Sequence, residues 1–255
     1  MSKIKVLVNG SAGKMGRETV NAVRKQPDME LVGEVDIANT GGETTRDLGK
    51  AIKALKPDVI VEFTHPNVAM KNIRTILENN VHAVVGTTGL SEGDLKEIES
   101  ICKAKGVNCL VAPNFAVGAV LMMRFAREAS RHLPNVEIIE LHHDKKADAP
   151  SGTAIKTAEM ILEEKSRRDR PSSGKVKEIE KLDGARGGSM DDIRVHSVRL
   201  PGFVAHQEVI FGGLGQTLTI RHDSISRESF MPGVMLSIRK IGKLKGLTYG
   251  LESVL

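Results

Sequence analysis

The first forty residues most limit what this chain can fold into. Lys3-Ile-Lys-Val-Leu-Val8 is a short β-branched run that flows into Asn9-Gly10-Ser11-Ala12-Gly13-Lys14-Met15-Gly16. A helical pattern follows over 14–25, with Met15, Val20 and Val23 on one face. A strand feeding a glycine-rich turn that opens a helix is the phosphate-binding arrangement of dinucleotide folds. The glycines let the backbone approach a pyrophosphate and let helix and strand pack closely. The spacing is G-x-x-G-x-x-G rather than G-x-G-x-x-G, and a glycine motif alone is a weak signal. It gains weight from its place at the first βα turn and from Asp36. That acid ends a second strand read at 30–36, about 20 residues past the glycines, where a ribose-binding acid belongs.

The alternation continues. Strands are expected at 3–8, 30–36, 58–63, 81–86 and 107–112, and helices at 14–25, 66–79 and 91–105. A small helix fits at 47–55, and Ser91-Glu-Gly-Asp94 reads as a capped helix start. Alternating βα units imply a parallel sheet with right-handed crossovers, a Rossmann-type α/β domain. Ligands of such sheets lie beyond the C-terminal strand ends. Those ends carry Phe63-Thr64-His65-Pro66, Gly86-Thr87-Thr88-Gly89 and Ala112-Pro113-Asn114-Phe115, which suit a cofactor lying across the edge and equally suit ordinary tight turns.

Beyond an apolar helix at 116–132 the pattern changes. Strands at 135–143, 192–200, 205–213 and 215–222 accompany one helix, 151–166. The joints at Gly202, Gly212, Gly213 and Gly215 suggest hairpins. This reads as a second, α+β domain with a mixed or antiparallel sheet. Residues 167–191 are polar and read as a long loop. A last helical pattern, 227–243, places Phe230, Val234, Met235, Ile238 and Ile241 on one face and returns to the first domain. The expected division is therefore 1–114 plus 226–255 for dinucleotide binding, and 115–225 for substrate binding and oligomerisation.

Chemistry concentrates in Glu140-Leu-His-His-Asp-Lys-Lys-Ala-Asp-Ala-Pro-Ser-Gly-Thr-Ala154. A strand precedes it, Pro150 stops that strand, and Ser151-Gly152-Thr153 opens a helix. Backbone N–H groups at a helix start favour an anion. Lys146 and a histidine beside them make a carboxylate site with a proton donor in reach. Neighbouring strand residues point to opposite faces, so His142 and His143 share a site only where the strand turns away. A histidine pair at a strand end also serves structure alone, and Asp148 and Asp36 also fit a turn cap and a solvated strand end. No third ligand stands at metal spacing, so no metal is expected.

Composition excludes little else. Net charge is +5, yet there is no Trp and one Tyr to stack bases, and the basic residues are scattered. The densest cluster, Lys165-Ser-Arg-Arg-Asp-Arg170, reads as a solvated face. An anionic small substrate and cofactor suit this mild basicity, and neither nucleic acid nor membrane is an expected partner. No apolar run reaches membrane-spanning length and no signal peptide is read, so a cytoplasmic protein is expected, with Cys102 and Cys109 as buried reduced thiols.

The chain resembles the dihydrodipicolinate reductase (4-hydroxy-tetrahydrodipicolinate reductase) family over nearly its whole length. The carrying signature is E-x-H-H-x-x-K-x-D-A-P-S-G-T-A, matched by Glu140, His142, His143, Lys146, Asp148 and Ala149 to Ala154. G-x-x-G-x-M-G at 10–16, F-T-x-P at 63–66, G-T-T-G at 86–89 and N-F-x-x-G at 114–118 follow the family's order. The resemblance implies a homotetrameric NADH- or NADPH-dependent oxidoreductase. Such an enzyme reduces a cyclic imine dicarboxylate to tetrahydrodipicolinate in the diaminopimelate route of lysine biosynthesis. Carried over by position, His142 is the general acid and Lys146 a second donor. His143, Ser151, Gly152 and Thr153 are substrate contacts. The cofactor contacts are Gly10, Ser11, Ala12, Gly13, Lys14, Met15, Asp36, Gly86, Thr87, Thr88, Ala112, Pro113, Asn114 and Phe115.

Two departures bear on cofactor choice. Many members carry an Arg after the ribose acid, where this chain has Ile37, and the 37–57 connection is shorter here. Lys14, Arg17 and Arg46 are the remaining candidates to meet a 2′-phosphate. Three rival readings stand beside the enzyme: a related dehydrogenase acting on another imine or aldehyde acid, a non-catalytic NAD(P)-sensing regulator and a basic nucleic-acid binder. The retained His142, His143 and Lys146 weigh against the regulator.

Overall fold

A computed structural model describes residues 2–38, 44–166 and 179–255. The chain divides into two compact units, Met1–Val117 with Arg227–Leu255, and Gly118–Ser226.

The first unit opens with β1 (Ile4–Asn9), α1 (Lys14–Arg24), β2 (Met29–Val35), the two-residue β3 (Thr44–Thr45) and α2 (Leu48–Leu55). It continues with β4 (Val59–Glu62), α3 (Pro66–Glu78), β5 (His82–Val85), α4 (Glu92–Lys105) and β6 (Cys109–Val111). Then come α5 (Val117–Ala129), β7 (Asn135–His142), α6 (Gly152–Ser166), β8 (Gly188–Met190), β9 (Ile193–Arg199), β10 (Ala205–Gly213) and β11 (Gln216–Ser224). The chain ends with α7 (Met231–Lys240) and β12 (Leu247–Tyr249).

The first sheet runs β12-β6-β5-β4-β1-β2-β3, with every pair parallel. Buried on both faces, its central strands are continuously apolar: Val6, Leu7 and Val8 in β1 and Val59, Ile60 and Val61 in β4 are at most 2% exposed. Strand order reverses between β1 and β4, so their C-terminal ends diverge and leave a crevice. Helix starts are built locally. Ser91 and Asp94 form a reciprocal capping box on α4, Asp47 caps α2 by accepting from Lys50 N–H, and Pro66 opens α3.

The second sheet runs β11-β10-β7-β9-β8. It is mixed: β7 is parallel to β9, and the other pairs are antiparallel. Along β7 the inward positions are Val136, Ile138 and Glu140, all buried. Ala154, Ala158 and Ile161 of α6 are fully buried, and α6 packs on β7.

Local structure departs from expectation in places. The expected helix 227–243 is three pieces: a 3₁₀ turn at Arg227–Phe230, α7, and a 3₁₀ turn at Ile241–Lys243. Pro232 has no N–H and sits only in a helix's first turn, so the α-helix starts beside it. Three strands show no signal in the sequence, β3, β8 and β12, because two or three residues carry no alternation. β8 falls inside the segment read as a loop. Residues 167–178 of that segment, with most of the 165–170 basic cluster, lie outside the described residues, as do 39–43 of the 37–57 connection.

Candidate active site

In the second unit the reactive side chains gather where β7 ends. Two residues apart on one strand, Glu140 and His142 share a face. Glu140 is fully buried and touches His142 Nδ1 through Oε2. Arg199, the last residue of β9, grips the same carboxylate with Nη2 to Oε1 at 2.7 Å and Nη1 to Oε2 at 2.9 Å. Burial pushes the Glu140 pKa up, but hydrogen bonds from Arg199, Ser197 and His142 outweigh it, holding the carboxyl below the usual range. Burial lowers the His142 pKa, against the pull of Glu140, and the charges of Lys146 and Arg199 lower it further.

The following turn brings up the remaining predicted residues. His143 is exposed, one position past the strand, and its carbonyl accepts the Lys146 N–H at 3.1 Å. Lys146 Nζ rests on the Asp148 carboxylate at 2.6 and 2.8 Å, which holds that acid's pKa down. The Ala149–Pro150 bond is cis. Ser151 caps α6, its hydroxyl accepting from Ala154 N–H at 3.2 Å, while its own N–H donates to Glu140 at 3.3 Å. Gly152 is exposed at the helix start, and Thr153 is half-buried behind it. One imidazole, one guanidinium and a helix start thus stand around a single buried carboxylate, with Lys146 close enough to act on the imidazole. Sequence reasoning missed Arg199 because it is 59 residues from Glu140. The role of Glu140 was within reach: it repeats the inward period of Val136 and Ile138.

In the first unit a cleft of about 1010 Å³ opens at the strand-order reversal. Gly10, Ala12, Gly13 and Asp36 line it, as do Asn9, Arg46, Phe63, Thr64, His65, Lys71 and Asn72. Gly10 has φ +84, and a Cβ there would lie 2.5 Å from the Phe63 carbonyl oxygen. A Cβ on Gly16 would run into the Gly10 carbonyl. The turn is therefore a backbone cradle that side chains would fill. Asp36 bridges it, accepting from Ala12 N–H at 2.9 Å and Ala38 N–H at 2.8 Å. A glycine turn that leaves no room for side chains, with an acid at the end of β2, fits a nicotinamide dinucleotide.

The other predicted cofactor residues lie off this cleft wall. Ser11 is buried and hydrogen-bonds the Val35 carbonyl, and Lys14 and Met15 begin α1. Gly86 N–H donates to the Glu62 carbonyl at 3.0 Å, and a Cβ on Gly86 would strike the Phe63 ring. The Thr87 hydroxyl donates to the Glu62 and Thr64 carbonyls, and Thr88 is exposed. Ala112 and Phe115 are buried, Phe115 edge-on to Phe63 at 5.9 Å; Pro113 is exposed and the Asn114 side chain accepts from Ala116 N–H at 2.8 Å. Lys71 and Asn72 went unread because they occupy a helix face that only packing turns toward the cleft. Among the described residues no cluster of three or more His, Cys, Asp or Glu has the arrangement of a metal site. None of their helices is long and apolar enough to cross a membrane.

The family model for the dihydrodipicolinate reductase N-terminus matches residues 4–115, and that for its C-terminus matches 118–255. The chain belongs to the dihydrodipicolinate reductase family. The 4-hydroxy-tetrahydrodipicolinate reductase of Desulfitobacterium hafniense is 50% identical over 100% of both chains, and that of Listeria innocua is 51% identical over 99% of this chain and 100% of its own. A dipicolinate-bound dihydrodipicolinate reductase from Paenisporosarcina sp. TG-14 superposes with a TM-score of 0.90 at 44% identity, covering 99% of this chain and 100% of that one. More distant dehydrogenases share the fold alone, such as an amine dehydrogenase from Mycobacterium smegmatis at a TM-score of 0.65 and 12% identity. The N-terminal match lies within the first unit, while the C-terminal match covers the second unit and the segment 227–255 that belongs to the first; the Glu140–His142 cluster and the glycine cleft fall in different halves.

Proposed function

We propose that this chain uses NADH or NADPH to reduce 4-hydroxy-tetrahydrodipicolinate (dihydrodipicolinate) to tetrahydrodipicolinate, in the diaminopimelate route of lysine biosynthesis. The observation that carries this reading is the cluster at the end of β7: an imidazole backed by a buried carboxylate, with Lys146 and a helix start beside it. A cyclic dicarboxylate needs just those groups, an anion clamp and a proton donor. The relative solved with dipicolinate bound lends the ligand class.

When bound, the nicotinamide supplies a hydride, which leaves negative charge on the substrate's conjugated system. His142 quenches that charge as general acid. Lys146 and the N–H groups of Gly152 and Thr153 take one carboxylate, with His143 and Ser151 completing the site. In the resting chain Asp148 occupies Lys146, so a substrate carboxylate displaces one carboxylate with another. Gly10 to Met15 cradle the pyrophosphate and Asp36 binds the adenine ribose. Gly86 to Thr88 and Ala112 to Phe115 complete the nicotinamide end. Residues 1–114 with 226–255 thus form the dinucleotide domain, and 115–225 the substrate domain.

The substrate domain also supports self-association into a homotetramer. β11 is an edge strand with Leu218 40% exposed, and Leu214 in the preceding turn is fully exposed; such an edge invites pairing with a second copy. Light scattering should then report four times the 27.6 kDa chain mass. Cys102 and Cys109 are buried free thiols, and burial raises the Cys102 pKa to about 11, which suits a reducing cytoplasm. The direct test is the initial rate of NADH and NADPH oxidation on substrate made in situ. His142→Gln should lower turnover by roughly two to four orders of magnitude. Near-normal turnover in that variant would remove His142 from its role.

A further inference from the structure

Glu140 stands at an inward position of β7 that Val136 and Ile138 lead one to expect apolar, and it is fully buried. A buried carboxylate costs stability unless its lone pairs are met. Here Oε1 accepts from Arg199 Nη2 at 2.7 Å and from Ser151 N–H at 3.3 Å. Oε2 accepts from Arg199 Nη1 at 2.9 Å and touches His142 Nδ1. Three of these four partners are N–H donors, one pair of them a charged fork, and the Ser197 hydroxyl adds a further hydrogen bond. A carboxyl so surrounded has no use for its own proton. The contact to Nδ1 must therefore be filled from the imidazole side.

Arg199 does more than neutralise. Nη2 also donates to the Asp148 carbonyl at 2.7 Å and Nη1 to the Val198 carbonyl at 2.8 Å. Four acceptors in these directions need a planar fork; an ammonium has only three donors. The charged groups facing the His142 ring are Glu140 on its own strand, Arg199 from β9 and Lys146 from the following turn.

We propose that the Arg199–Glu140 pair is a positioning device. It fixes His142 as the Nδ1–H tautomer, leaving Nε2 to gain and deliver the proton. Through Ser151 N–H and the Asp148 carbonyl it holds the carboxylate-binding turn in register with that acid. The inference deepens the reading of His142 as the acid and rests on it.

The first test needs no variant of the pair. Long-range ¹⁵N–¹H spectra of the ¹⁵N-histidine-labelled full chain, assigned by the signals lost in His142→Gln, should show a protonated Nδ1 and a bare Nε2 at pH above the ring's titration. An Nε2–H tautomer in the wild type overturns the proposal. The second test is kinetic. Arg199→Lys keeps the charge and loses the fork. It should lower kcat by at least roughly tenfold, as for other histidines that lose their orienting carboxylate. The KM for the nicotinamide should stay unchanged. Glu140→Gln should move the basic limb of the kcat/KM profile to lower pH, because the charge that favours imidazolium is gone. Wild-type kcat in Arg199→Lys, or an unmoved limb in a folded Glu140→Gln, overturns it. Should Glu140→Gln fail to fold, the wild-type spectrum and Arg199→Lys decide. Undiminished turnover in His142→Gln would instead sink the underlying reading. Lost turnover there, with an Nε2–H spectrum, would sink this inference alone.

Discussion

At the residue scale the site is a balance of charges. The pKa of His142 lies below its ordinary 6.5 because burial leads, Lys146 and Arg199 add, and Glu140 only partly offsets them. With His142 as the proposed acid, its protonated form is lost as pH rises through a value below that figure, and kcat/KM should fall over that window. A bound dianion adds negative charge and raises the histidine pKa. The kcat limb should then lie at higher pH than the kcat/KM limb; coincident limbs would contradict the assignment. Lys146→Ala should impair substrate use strongly and leave nicotinamide affinity intact, with pyridine-2,6-dicarboxylate inhibiting the wild type competitively. Equal loss of cofactor affinity would refute that division. Asp36 lies in the cleft with Arg46, and no base follows at Ile37. NADH is expected to serve at least as well as NADPH, since the carboxylate repels a 2′-phosphate. A strong wild-type preference for NADPH, unchanged in Asp36→Ala, would place discrimination elsewhere.

At the scale of elements, the proposed function rests on one turn and one strand. The turn between β1 and α1 works because Gly10 and Gly16 let three pieces of backbone touch: the Phe63 carbonyl, the Gly10 carbonyl and the first turn of α1. Gly16→Ala puts a methyl group onto the Gly10 carbonyl, so helix and turn must separate. Cofactor affinity should drop by about tenfold or more, the equivalent of about 1.4 kcal/mol of lost contacts, while dipicolinate affinity holds. Unchanged cofactor binding, measured by calorimetry, would show that the cradle tolerates the shift. β7 works differently. Its inward period ends on Glu140 and then His142, so the alternation that builds the core also places the proposed proton donor beside a buried carboxylate.

At the scale of the whole molecule, the proposed function assigns a different ligand to each unit. Nicotinamide alone should protect amides of residues 10–16 from exchange and leave those of 146–153 unprotected; pyridine-2,6-dicarboxylate alone should do the reverse. Protection of the same segment by both ligands would contradict the assignment of one ligand to each unit. On the proposed function, that division lets one chain serve two recognition problems. A parallel sheet offers backbone N–H groups at its strand ends, which suit a pyrophosphate. A mixed sheet places side chains in register across neighbouring strands, which suits an assembled acid such as His142, Glu140 and Arg199.

Local chemistry fixed much of this protein before any tertiary contact. β-branched runs set the parallel strands, Ser91 and Asp94 set the start of α4, and Gly16, whose Cβ would meet the Gly10 carbonyl, sets the first turn. All depend on neighbours within a few residues, so they are legible in the sequence. The Glu140 to Ala154 stretch likewise shows the end of β7 and the start of α6 in the sequence, since it spans one strand end and one turn. Three things only the fold decided. Arg199 reaches Glu140 because β7 and β9 pair in parallel, a register set by pairing across about 60 residues of chain. Lys71 and Asn72 face the cleft because α3 packs against β4 and β5. Leu247–Tyr249 is a strand because β6 offers it an edge. A sequence shows what each segment prefers, but a contact between distant segments exists only once the core has placed both.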